Sequence, residues 1–227
     1  MFLPLHDRNP IRHVTFPYVT YGLMALNLIM FLVQSSMPRE AFEWFAVEYG
    51  MIPIVVRDLV PQPVVWLPDW ANLVTYAFLH ADWLHLGTNM LFLWIFGDNI
   101  EDALGHLRFV VFYLACAALA ALVHIAFNYD SNGPLIGASG AVAGVMGAYI
   151  LLYPHARVFV LFRIVIPIPL PIPALWMLGV WIATQVFYVL VGSQEPVSWW
   201  AHLGGVAAGA LLVIPMRRRA VPLFGGR

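Results

Sequence analysis

The 227-residue chain has no lysine, a single cysteine and only 10% charged residues. Soluble domains carry about 25% charge, so an ordinary water-soluble enzyme is excluded. The lone Cys116 excludes an internal disulfide framework and any cysteine-rich metal site. A net charge of −1 argues against nucleic acid as a partner, because that needs a basic surface. What the chain has in quantity is hydrocarbon, with 62% of its residues hydrophobic. A bilayer-spanning helix takes about 20 apolar residues, so there is room for about six spans and little else. The expected class is an all-α polytopic membrane protein with the lipid bilayer as its solvent.

Charges are costly in hydrocarbon, so the gaps between them map the spans. The first span reads as Pro17–Gln34, an uncleaved anchor, since no small-residue cleavage signal follows it. The region from Ser36 to Leu84 is too polar to span and rich in tryptophan, which favours the membrane interface. The second span is expected at about Leu84–Asp98 and the third between Arg108 and Asp130. The fourth, about Ser139 to Tyr153, is shorter than a bilayer and follows a loop-like run from Ser131 to Gly137. The fifth runs from about Ala174 to Val191, after the non-helical series Pro167, Pro169, Pro171 and Pro173. The sixth fits between Pro196 and Arg217. One membrane domain, 17–216, is thus flanked by an N-terminal segment, 1–16, and a basic tail, 217–227.

With the N-terminus inside, nine arginines (8, 12, 108, 157, 163, 217, 218, 219 and 227) fall on the inner side and two, Arg39 and Arg57, on the outer. That asymmetry predicts cytoplasmic termini. The compact topology suits the plasma membrane of a prokaryote. The Arg217-Arg218-Arg219 cluster then reads as a topology determinant touching anionic lipid.

Spans two, four and six all enter from the outer face, and each carries polar residues in its first turns: His85 and Asn89, Ser139, and His202. His85 and Asn89, four apart, share a helix face, and His202 sits on the order of 9 Å into its span. Ser139 lies in Gly137-Ala138-Ser139-Gly140, at a helix N-terminus where free N–H groups can face a developing oxyanion. Small residues four apart let membrane helices pack backbone to backbone. Gly140 and Gly144 on span four and Gly205 and Gly209 on span six predict such a seam, and it would bring His202 level with Ser139. A serine becomes a nucleophile when a neighbouring histidine takes its proton. No carboxylate in the spans is placed to orient that histidine, so a dyad is expected, with Asn89 and His85 as oxyanion donors and no metal or cofactor. Gln185, in the fifth span, needs a partner, either a structural bond or a gate contact, while His124 has no evident one. Four histidines in or near the spans leave haem ligation as another reading, but haem gives no reason for the glycine-flanked serine. A transporter is disfavoured because no intramembrane carboxylate offers an ion site.

The runs His85-Leu86-Gly87-Thr88-Asn89, Gly137-Ala138-Ser139-Gly140 and Ala201-His202-Leu203-Gly204-Gly205 resemble the rhomboid intramembrane serine proteases. So do the flanks Thr75-Tyr76-Ala77-Phe78-Leu79-His80 and Gly97-Asp98-Asn99-Ile100-Glu101-Asp102. The resemblance covers about residues 72–209. It implies a six-transmembrane-helix bundle with a membrane-embedded first loop that cuts transmembrane segments of other proteins near the outer leaflet. Ser139 is then the nucleophile, His202 the base, and Asn89, His85 and the Ser139 N–H the oxyanion hole. Span five corresponds to the family's proposed lateral gate. Some members place an aromatic four residues after the serine, under the histidine, where this chain has Ala143, so another group must support His202. A non-proteolytic relative that binds membrane clients is the alternative within the family.

Overall fold

The computed structural model describes residues 2–60, 67–162, 168–193 and 197–225, and the expectations resting on Arg163, Pro167, Pro196 and Arg227 lie outside them. The chain is a helical membrane bundle. Its long elements are α1 (Tyr18–Ser35), α5 (Trp83–Leu104), α6 (His106–Phe127), α7 (Ser139–Leu152), α8 (Ala174–Leu190) and α9 (Trp199–Met216). Among these α1, α6 and α9 are long and apolar enough to cross a membrane, while α7 and α8 are apolar but shorter. At about 1.5 Å per residue the 14 residues of α7 span only about 21 Å, less than the roughly 30 Å of hydrocarbon. One end of α7 therefore starts inside the membrane. Its Gly and Ala positions let it sit at the centre of the bundle, buried along nearly its whole length between α5, α6 and α9.

The second span runs six residues further than the charge map allows, through Asp98, Glu101 and Asp102. Each of the last two carboxylates has backbone donors to satisfy it. Glu101, fully buried, accepts from the N–H of Val19 (2.9 Å) and Thr20 (2.7 Å) and from the Thr20 hydroxyl (2.7 Å). It thereby caps α1, which lacks a side-chain cap of its own and whose N-terminus favours an anion. Asp102 gathers the N–H groups of Arg12, His13 and Val14 at 3.0, 2.5 and 2.7 Å. Paired in this way, the carboxylates are tolerated where isolated charge would not be. Arg218 is not free for lipid: its N–H bonds the Ala103 carbonyl and its guanidinium the Asp102 carbonyl, closing the end of α5.

A three-stranded antiparallel sheet at the same end was not foreseen. Strand β2 (Arg157–Phe162) lies between β1 (Phe2–Asp7) and β3 (Ile168–Pro173). Pro169, Pro171 and Pro173 pair with Leu161, Phe159 and Arg157. Only every second N–H of an edge strand faces its neighbour, so prolines at alternate positions cost the ladder nothing. The Tyr149 hydroxyl, near the end of α7, donates to Asp7 and ties β1 to the bundle.

At the opposite end the first loop folds into α2 (Arg39–Tyr49), α3 (Pro53–Val56), α4 (Asn72–Thr75) and short 3-10 turns. It is bonded to the loop that feeds α7. Met51 and Leu135 exchange both backbone hydrogen bonds (3.0 and 2.8 Å), and the Tyr76 carbonyl accepts from the Gly137 N–H at 2.9 Å.

Candidate active site

Ser139 is the first residue of α7, half-buried, with no side-chain cap on the helix. The first N–H groups of α7 are thus not consumed by capping. Two histidines frame the approach to it. The Asp82 carboxylate caps α5 by accepting from the His85 N–H at 2.8 Å, which fixes the helix start and the placement of His85. The His85 ring then lies directly over Gly137: a Cβ built there would sit 2.5 Å from Nε2 and 2.6 Å from Cε1. Gly137 also has φ +119°, a conformation L side chains rarely adopt. Both facts require glycine two residues before the serine. The Ala81 N–H points at His85 Nδ1 (3.4 Å), which leaves the ring proton on Nε2, toward Gly137.

His80 stacks edge-on against His85 at 5.1 Å between centroids. Burial, with His85 beside it, pushes the His80 imidazole down to about 3. It therefore stays neutral and can accept from the Ala138 N–H at 3.5 Å, tying the first loop to the residue before Ser139. Asn89 is buried one turn along α5, and its amide donates to the His85 carbonyl at 2.9 Å, which leaves its second N–H uncommitted to that bond.

Glycines line the contact between α7 and α9. A Cβ on Gly205 would meet the Gly140 carbonyl carbon at 3.0 Å and the Ala143 Cβ at 3.1 Å, with the Gly140 oxygen nearer still. A Cβ on Gly209 would lie 2.6 Å from the Gly144 Cα. Helices α7 and α9 thus run parallel in backbone contact, Gly140 against Gly205 and Gly144 against Gly209. Ser139 stands one residue before the first pair and His202 three residues before it. Ala143 is small because Gly205 lies against it.

The support for His202 comes from α8. Its Nδ1 is 2.7 Å from Gln185 Oε1, both side chains being buried. The Trp181 ring lies 5.6 Å from the imidazole, and Trp199 stands edge-on at 6.2 Å. The two indoles and the amide are the groups that contact the His202 ring. The sequence marks Gln185 as a polar residue needing a structural bond or a gate contact, and Tyr76 only as part of a flanking run; the Tyr76 hydroxyl bonds the Ala117 carbonyl (2.8 Å) and fills the space beside Gly140. A cavity of about 450 Å³ lined by His124, Asn128, Leu135, Tyr188 and Trp199 among others lies beyond Trp199, and neither Ser139 nor His202 lines it.

The rhomboid domain model matches residues 67–219, well over half of the chain. "Rhomboid protein 1, mitochondrial" of Saccharomyces cerevisiae is 32% identical over 202 residues, which cover 85% of this chain and 51% of that protein. "RHOMBOID-like protein 12, mitochondrial" of Arabidopsis thaliana is 31% identical, over 65% of this chain and 46% of that protein. "Rhomboid protease GluP" of Bacillus subtilis is 32% identical, over 60% of this chain and 24% of that protein. The chain spans about half the length of the first two relatives. Their mitochondrial names overturn the expected prokaryotic plasma membrane with cytoplasmic termini. Arginine asymmetry and apolar composition report the two sides of a bilayer, not which compartment owns it. The chain belongs to the rhomboid family.

Proposed function

We propose that this chain is an intramembrane serine endopeptidase that hydrolyses peptide bonds in or near transmembrane segments of other membrane proteins. Residues 17–216 form the working unit, with 217–227 as a basic tail. The observation that carries the reading is the α7–α9 seam, whose register supports a Ser139–His202 dyad below the membrane surface.

In this reading His202 Nε2 takes the proton from the Ser139 hydroxyl as Oγ attacks the scissile carbonyl. The tetrahedral oxyanion is met by the Ser139 N–H, the Asn89 amide and His85 Nε2–H, which are fixed before reaction and so cost no reorganisation. His202 returns the proton to the departing amine, leaving an acyl group on Ser139. Water, deprotonated by the same histidine, then releases the acid and restores the serine. Non-helical backbone at this depth is tolerated where it meets protein or water, which suits the bonded pair of loops around Gly137.

The test is cleavage in reconstituted vesicles of single-span membrane proteins, with products identified by mass spectrometry. The wild type should cut within or beside the span, and the folded Ser139→Ala variant should cut nothing. Retained cleavage in that variant refutes the nucleophile. A wild type that binds such proteins and cuts none favours a non-proteolytic rhomboid.

A further inference from the structure

Serine hydrolases need their histidine held in one tautomer, with the proton on the nitrogen that faces away from the nucleophile. A carboxylate usually does this, and among the described residues none bonds His202. The Gln185 contacts show what does. Its amide nitrogen lies 3.1 Å from the Trp181 carbonyl and 3.1 Å from the Thr184 hydroxyl. A carbonyl can only accept, so the group facing it must be the NH2, and the amide oxygen must face His202. An oxygen at 2.7 Å from Nδ1 then requires the proton on Nδ1. Nε2 is left with its lone pair free.

From this bond network we infer that Gln185 is the positioning residue of His202, supplying on α8 the third member that the dyad lacks. The inference rests on the protease reading above. The amide is anchored within α8 itself, since both of its donor bonds go to residues one and four positions earlier. Its oxygen is thereby aimed independently of α9. Trp181, one turn before Gln185, and Trp199 also lie against the imidazole, at 5.6 and 6.2 Å between ring centroids. The titratable groups within electrostatic reach of His202 are His85 on α5 and His124 on α6, neither of which bonds it.

The experiment measures the rate at which a fluorophosphonate labels Ser139, across pH, in the full chain and its Gln185→Met and Gln185→Glu variants. The small probe needs an activated serine and no transmembrane substrate. Loss of the correct tautomer costs about 10⁴-fold when a carboxylate is neutralised; hydrogen bonds between neutral groups are about half as strong as charged ones. Gln185→Met should therefore slow labelling about 10–100-fold and lower kcat for a membrane substrate while leaving KM unchanged. Gln185→Glu keeps the acceptor, so labelling should persist. A carboxylate favours the charged imidazole, so the acid limb of its pH profile should move up by about one unit. The Glu variant decides the matter if the Met variant fails to fold. Folded Gln185→Met that labels at the wild-type rate, a change in KM alone, or an unmoved pH profile in Gln185→Glu overturns the inference. A wild type that takes no probe overturns the protease reading beneath it.

Discussion

Replacing Gly209 with alanine tests whether the seam sets the register of the active site. Gly209 lies seven residues beyond His202, about 10 Å along α9, too far to touch the dyad itself. A methyl there would sit 2.6 Å from the Gly144 Cα, with the Gly144 carbonyl nearer still. Carbon atoms rest at about 3.5–4.0 Å, so the helices must part by about 1 Å. Helix α7 cannot retreat, because its other side is already full: Cys116 of α6 lies 2.5 Å from where a Cβ on Gly144 would be. The displacement therefore falls on α9 and carries His202 away from Ser139. A misplacement of about 1 Å costs about 100-fold in rate, and overpacking of this kind costs about 1–3 kcal/mol of stability. Gly209→Ala should accordingly cleave a reconstituted substrate about 100-fold more slowly and melt at a lower temperature in detergent. Gly22→Ala on α1 is the control, since nothing lies within 4 Å of its Cβ position; its rate should match the wild type and its melting temperature should be no lower, alanine being the better helix former. Wild-type cleavage by Gly209→Ala would refute the argument that backbone contact in the seam aligns the site.

Asn89→Ala should lower the cleavage rate about 100-fold, as loss of one oxyanion donor does elsewhere, with the melting temperature little changed; an unchanged rate returns Asn89 to a role in holding α5. Glu101→Gln should destabilise the fold by lowering the charge that α1's N-terminus and His106 both meet. Thermal melting reads this, and an unshifted midpoint contradicts the capping role. Burial, with Asp98 nearby, holds the Asp7 carboxyl up at about 6. A raised folded-state value means stabilisation that is present below the ordinary carboxylate range and lost as pH rises through about 6. Amide exchange in β1, corrected for intrinsic rate, should therefore be better protected at pH 5 than at pH 7.5, and Asp7→Asn should remove the difference. Equal protection at both pH values in the wild type would contradict it.

Much of this architecture is visible in local sequence. The positions of α1, α6 and α9 follow roughly from gaps between charges, that of α7 from the loop-like run before Ser139 and that of α8 from the prolines before Ala174, while the glycines four apart on α7 and α9 mark the faces that meet. The extension of α5 is invisible locally, because Glu101 and Asp102 are satisfied by backbone donors more than 80 residues earlier. The sheet escapes notice because β1 is only six residues long and the prolines of β3 mimic a breaker until their alternation is set against an edge. In the candidate site, Ser139 and His202 stand out in the sequence because each lies within a few residues of a glycine of the α7–α9 seam. The Gln185–His202 bond does not, since it joins two helices through side chains 17 positions apart with no periodic signal between them.

The central claim is that Ser139 is an activated nucleophile with His202 as its base. Labelling of the purified protein with a fluorophosphonate, followed by mass spectrometry of the modified peptide, tests it most directly. The account predicts a single adduct on Ser139 that disappears in a folded His202→Ala protein. A folded wild type that takes no adduct, or an adduct on Ser139 undiminished without His202, would contradict it.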